Sequence, residues 1–166
     1  MIAIKKIGIE SIPVIFSLAH SIWPNTYKEI LAPIQIDYML QLLYSEASLK
    51  IQIEQKKHQF ILAVKKNENV GFASYSVKSE EEKDIYRLHK IYIHPSLQGK
   101  GIGKLMIDYI VKDIKQAGAL HLELNVNRYN KALQFYQKLG FVIIKEEDID
   151  LGNSYFMNDY VLILKL

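Results

Sequence analysis

The chain has 166 residues, 49% of them apolar, which suffices for one globular domain with a sizeable core and would cramp two. It has no cysteine, which excludes a disulfide framework, a thiolate metal site and a cysteine nucleophile. The formal net charge is +3 and acidic residues are interleaved with basic ones, so no nucleic-acid footprint stands out, while a local anionic ligand stays compatible with it.

The N-terminal stretch MIAIKKIGIESIPVIF lacks an unbroken apolar core and a small-residue cleavage site, and no run approaches the ~18 apolar residues of a membrane span, so a cytoplasmic location without membrane contact is expected. No repeat, low-complexity tract or Pro/Gly-rich linker interrupts the chain, and residues 1–166 are expected to form a single domain. IAIKKI alternates as a first strand. ESIPVIFSLAHSIW follows as a helix with Ile15, Leu18, Ala19 and Ile22 on one face, ended by Pro24 and Asn25. IQIDYMLQLLYS predicts a second helix, and Ser45 is placed to cap a third through EASLKIQIEQ. HQFILAVKK, a turn at Asn67 to Asn69, and VGFASYSVKS predict a hairpin. DIYRLHKIYIH predicts a further strand, stopped by Pro95.

Next comes a glycine-rich turn and a helix from about Gly101 to Ala117, with Ile102, Leu105, Met106, Tyr109, Ile110 and Ile114 as its buried stripe and Gly118 just past its end. Its N-terminus therefore lies at the C-terminal end of a strand, with free backbone N–H groups and the positive end of the helix dipole. Gly99, Gly101 and Gly103 let a phosphate approach the backbone, and Lys100 and Lys104 add charge at the rim. The turn is no P-loop, because Gln98 precedes and Leu105 follows where that motif needs Gly and Ser/Thr. The dinucleotide pattern fails as well, for want of its third glycine.

Gln98, Gly101 and Gly103 spell Gln-x-x-Gly-x-Gly after LHKIYIHP, and this resembles the acetyl-CoA pyrophosphate loop of the GNAT superfamily of N-acetyltransferases. The stretch LHLELNVNRYNKALQFYQKLGF, with Asn130, Ala132, Tyr136 and Leu139-Gly140-Phe141, resembles that superfamily's next strand and helix. Asn130 stands six residues before Tyr136 where seven are expected, so Asn127 and Asn130 both stay candidates for cofactor contact. The resemblance implies an α/β (α+β) fold: a central mixed, mostly antiparallel sheet with a splayed parallel strand pair, here residues 84–94 and 120–127, flanked by helices. It also implies acetyl-CoA as co-substrate and no metal, with the backbone of Ile91, Tyr92 and Ile93 on the pantetheine arm and acetyl carbonyl, and Gln98, Gly99, Lys100, Gly101, Ile102, Gly103 and Lys104 around the pyrophosphate.

Transfer to an amine needs a proton donor for the departing thiolate and an acceptor for the ammonium proton. Tyr136 matches the superfamily's tyrosine beside the sulfur; packing is its ordinary alternative. Many relatives carry a carboxylate on the strand before the loop, but this chain has Arg87-Leu88-His89 there. Strand alternation puts Arg87, His89 and Ile91 on one face, which makes His89 the candidate base, against the commoner reading of a half-buried histidine. Trp23, Tyr27 and Glu29, with Tyr155, Asp159 and Tyr160 from the final hairpin, are the expected acceptor pocket, each also explicable as packing or surface. The C-terminal YFMNDYVL faintly resembles bacterial spermidine/spermine N-acetyltransferases, which implies a polyamine or another small primary amine. A protein N-terminal or lysine amine is the competing acceptor, a non-catalytic acyl-CoA binding module is the competing class, and a homodimer is left open.

Overall fold

The computed structural model describes residues 1–166. Twelve helices and strands follow one another, apart from two short 3-10 turns. They are β1 (Ile2–Ile7), α1 (Ile12–Tyr27), α2 (Pro33–Tyr44), α3 (Glu46–Glu54), β2 (Gln59–Lys65), β3 (Glu68–Val77), β4 (Ile85–Ile93), α4 (Ile102–Gln116), β5 (His121–Asn127), α5 (Ala132–Lys138), β6 (Val142–Gly152) and β7 (Tyr155–Lys165). The strands are hydrogen-bonded in the order β1-β2-β3-β4-β5-β7-β6. β4 and β5 run parallel, while β1–β2, β2–β3, β5–β7 and β6–β7 are antiparallel. This is the mixed, mostly antiparallel sheet with a parallel pair that the resemblance implies. Two compact units divide the chain, Met1–Ser76 with Lys90–Ile110, and Val77–His89 with Val111–Leu166.

In the first unit β1, β2 and β3 form a meander backed by α1, α2 and α3. The buried side chains include Ile15, Ile22, Trp23, Met39, Tyr44, Leu49, Phe60 and Phe72. α1 does not end at Pro24: it continues to Tyr27, because Ile22, Trp23 and Tyr27 are all buried and their packing outweighs the hydrogen bond that proline removes. Ser45 caps α3 as expected, its hydroxyl accepting from Ser48 N at 3.2 Å. The β2–β3 turn is tighter than Asn67 to Asn69. Lys66 and Asn67 alone carry positive φ (48° and 66°), the two-residue turn whose twist matches the strands. A bulge follows: Ala63 faces Gly71 while Val64 faces Asn69, and the carbonyl of the extra residue, Val70, accepts from His94 N at 2.8 Å. Gly71 is required beside it, because a Cβ there would lie 2.8 Å from the Tyr92 carbonyl oxygen.

In the second unit β5 lies between β4 and β7. The β4–β5 pairing runs for four positions, from Ile85↔His121 to Leu88↔Leu124, whereas β5 continues to Asn127 paired only with β7. The Asn153-Ser154 turn, with φ of 56° and 63°, closes the β6–β7 hairpin. α5 ends in a Schellman motif in which Phe141 N donates to Tyr136 O and Gly140 N to Gln137 O, both at 3.1 Å. α4 ends the same way at Gly118, with Ala119 N on Ile114 O and Gly118 N on Lys115 O. Its buried stripe is Ile102, Met106, Ile107, Ile110 and Ile114; Leu105 is exposed, and Ile107 occupies the stripe in its place. Both spacings satisfy a 3.6-residue period, and only the packing partner selects between them.

Candidate active site

The glycine turn is built at the end of β4. His94 opens a short 3-10 turn, its Nδ1 accepting from Ser96 N at 3.3 Å, and Gln98 reaches back so that its Nε2 donates to Ile93 O at 3.3 Å. Gly99 and Gly101 then take φ of 76° and 81°, a region closed to most side chains, with open space where a Cβ would stand. Gly101 O accepts the first helical bond, from Leu105 N, so the N–H groups of Ile102, Gly103 and Lys104 are the first-turn donors of α4. Lys100 is exposed, and Lys104 shares its charge with Asp108 at 2.6 Å. Residues 98–101 thus form an exposed turn that leads into the first-turn backbone N–H groups of α4, which suits an anion. Ile91, Tyr92 and Ile93 are half-buried on the strand leading into it.

Aromatic rings line the same unit. The Trp23 and Tyr27 rings lie 4.5 Å apart, tilted by 42°; Trp23 donates through Nε1 to the Tyr44 hydroxyl, and the hydroxyls of Tyr27 and Tyr92 are 2.9 Å apart. Trp23 and Tyr27 are thus brought beside Tyr92, inside the core. Glu29 is exposed in the segment after α1, and Tyr155 belongs to the other unit. Sequence reasoning missed Lys90, which is 9% exposed with its ammonium 5.5 Å above the Tyr44 ring and 6.0 Å above that of Phe60. Burial, with Lys56 adding repulsion, lowers it to about 7. Burial and the nearby Lys90 lower His58 to about 4.

The second unit holds the remaining candidates. Arg87 is half-buried, and its missing carboxylate is on the neighbouring strand. Glu123, in register on β5, accepts from Arg87 Nη1 at 2.9 Å and pairs with Lys78 at 3.2 Å. Arg87 Nη2 donates to Asn125 Oδ1, and Asn125 Nδ2 donates to Asp159 Oδ2 at 3.3 Å. His89, two residues after Arg87 on the same strand, is exposed. A sequence signal for this polar face existed: Glu123, Asn125 and Asn127 alternate with apolar residues in LELNVN.

Both asparagine candidates serve the turn after β5. Asn127 is buried with its Oδ1 accepting from Tyr129 N, and Asn130 Oδ1 accepts from Ala132 N, each at 2.9 Å. Tyr136 is the buried side chain of α5, edge-on to Phe135 at 5.2 Å and to Phe141 at 5.7 Å, whereas Phe135 and Leu139 are half-buried.

With this geometry in view, comparison with known proteins is direct. Residues 35–156 match the family model described as an acetyltransferase (GNAT) domain. Over 161 residues the chain is 28% identical to a spermidine N(1)-acetyltransferase of Thermoplasma acidophilum, covering 94% of this chain and 95% of that one. Over 93 residues it is 30% identical to a ribosomal protein bS18-alanine N-acetyltransferase of Haemophilus influenzae, covering 56% and 58% of the two chains. The crystal structure of PaiA N-acetyltransferase from T. acidophilum in complex with coenzyme A superposes with a TM-score of 0.82 at 26% identity, over 100% of this chain and 99% of that one. The chain belongs to the GNAT acetyltransferase family. It is an N-acetyltransferase, an enzyme that moves an acetyl group to an amine.

Proposed function

We propose that this enzyme takes the acetyl group from acetyl-CoA and passes it directly to a small cationic amine in a ternary complex formed by one catalytic domain of residues 1–166. The observation that carries the donor assignment is the turn of residues 98–104, where Gly99 and Gly101 take positive φ with open space at their Cβ positions and lead into the first-turn N–H donors of α4. On this reading Gln98, Gly99, Lys100, Gly101, Ile102, Gly103 and Lys104 hold the pyrophosphate. Ile91, Tyr92 and Ile93 bind the pantetheine arm as an added strand, and Asn127 and Asn130 of the second unit stay candidates for cofactor contact. No metal is needed to neutralise the phosphates. The coenzyme A bound to the similar Thermoplasma acidophilum structure supports the same donor.

The chemistry asks for two proton movements. The ammonium gives one proton to His89, which is exposed and so able to pass it to water. The amine nitrogen then bonds to the acetyl carbon, and the carbon–sulfur bond breaks. The thiolate takes the phenolic proton of Tyr136, and the second nitrogen proton restores the phenol. Trp23, Tyr27 and Glu29 in the first unit and, separately, Tyr155 in the second are the candidate acceptor contacts of this reading. The spermidine acetyltransferase similar along its whole length favours a polyamine over a protein N-terminus. A cytoplasmic setting belongs to this reading, and no helix is long and apolar enough to cross a membrane.

Release of free CoA thiol from acetyl-CoA, followed over a panel of polyamines, monoamines, amino acids and peptides, tests the proposal. Turnover with small cationic amines is expected. Turnover with peptides alone would replace the acceptor class, and CoA binding without turnover on any amine would leave a binding module.

A further inference from the structure

In the β5–β7–β6 part of the second unit a second carboxylate, Glu147, stands beside Asp159, the acidic acceptor-pocket candidate of the final hairpin. Asp159 stands in register with Asn127 on one side and with Glu147 on the other, so all three side chains share one face of the sheet. Asp159 is 3% exposed. Its Oδ2 accepts from Asn125, and its Oδ1 is buried with no hydrogen-bond partner. Glu147 is half-buried at the open edge of the pair, with Lys145 at 3.4 Å. A buried carboxylate oxygen with nothing to accept from is a costly feature unless a donor arrives, and the side-by-side Glu147 makes that donor a cation. The site lies where β5 has left β4, past the last pair Leu88↔Leu124.

We infer that Asp159 and Glu147 seat an ammonium group of the acceptor other than the one acetylated, which makes the preferred acceptor a di- or polyamine rather than a monoamine. This rests on the proposed transfer to a small cationic amine. Of the donors around Asp159, Arg87 is committed to Glu123 and Asn125, and Asn125 Nδ2 to Asp159 Oδ2, whereas Arg128 gives its two Nη atoms to Glu146 and Asp148 and keeps a buried Nε without a partner. Through the strand pairing Asp159 has Glu147 beside it on β6 and Asn127 beside it on β5. Burial raises the Asp159 carboxyl to about 6; Glu147 adds to this, against the hydrogen bond from Asn125 and the more distant Arg128 and Arg87. A cation docking there pulls that value down, so occupation at pH 6 expels a proton.

The test compares kcat/KM for spermidine with kcat/KM for n-butylamine in the full chain. In the wild type spermidine is the better substrate, and Asp159→Asn and Glu147→Gln each lower the spermidine to n-butylamine ratio at least ten-fold through KM, with CoA affinity by calorimetry unchanged. Calorimetry of spermidine into the enzyme–CoA complex at pH 6, in buffers of different ionisation enthalpy, shows proton release in the wild type and none in Asp159→Asn. Equal losses on both amines, an unchanged ratio, or a wild type that prefers n-butylamine overturns the inference while leaving acetyl transfer intact. Absence of CoA binding in the wild type would overturn the donor assignment instead. Should Asp159→Asn fail to fold, the amine ratio of Glu147→Gln, a change at a more open position, decides the matter alone.

Discussion

Two side chains set opposite demands on the fold. Lys90 has no carboxylate among the groups that act on it, and its ammonium rests over Tyr44 and Phe60. Its value is lowered from the usual lysine range to about 7, so between about pH 7 and 10.5 the unfolded chain binds more protons than the folded one. Stability therefore rises with pH through that window and loses this contribution as pH falls through 7. Lys90→Met removes the buried charge, and we expect stabilisation of about 1–4 kcal/mol at neutral pH together with loss of the rise above pH 7. Melting temperatures measured from pH 6 to 10 for both proteins check this; an unchanged rise in the variant would assign it to another group. Tyr136 makes a different test. Its ring is buried against Phe135 and Phe141, so Tyr136→Phe keeps the packing and removes only the hydroxyl. Turnover should fall ~10- to 1000-fold with CoA affinity intact if the phenol protonates the thiolate. Single-turnover measurements isolate that step.

The turn of residues 98–104 and the bulge of β3 are where elements, not single contacts, position the proposed donor site. Gly101→Val places a β-branched side chain at φ 81°, where it is strained whatever the space around it, and puts bulk where the backbone is proposed to meet phosphate. CoA affinity measured by calorimetry should drop at least ten-fold, and an unchanged affinity in a folded variant would remove the turn from the donor site. Gly71→Ala acts from behind, because its methyl would meet the Tyr92 carbonyl at 2.8 Å. Either β3 or β4 must shift, at a cost of roughly 1–3 kcal/mol. The variant should melt lower and bind CoA more weakly, since Tyr92 lies on the strand proposed to bind the pantetheine arm.

Across the whole molecule the acid range carries two opposed slopes. His58, held at about 4, makes stability rise with pH between about 4 and 6.5, because the unfolded imidazole binds the extra proton there. Asp159, raised to about 6, makes stability fall between about 4 and 6, because there the folded carboxyl keeps its proton longer than the unfolded one. For a chain that melts in one step the two offset, and the wild-type melting temperature should vary little from pH 4.5 to 6. Asp159→Asn leaves His58 unopposed, so its melting temperature should climb with pH over that range. A flat profile in the variant would count against either His58 or Asp159 as the source of its slope.

Much of this molecule was legible in the order of residues alone. Elements with a strong period or a stop signal, β1, α2, β4 before Pro95 and α4 before Gly118, declare themselves because alternation, the 3.6 spacing, proline and glycine act within a few residues. The turn of residues 98–104 was legible for the same reason, since positive φ at glycine is a local property. What the tertiary structure alone decided depends on what stands opposite. Pro24 stays inside α1 because Trp23 and Tyr27 find a core, and Ile107 displaces Leu105 because the partner face lies there. Arg87 meets its acid 36 residues away on β5, and Lys90 becomes a low-value amine only because aromatic rings close over it. Asp159 and Glu147 become neighbours only through the register of β6 with β7. Short-range backbone preferences are written in the sequence, whereas the dielectric around a charge and the identity of its neighbours come into being only when distant strands pair.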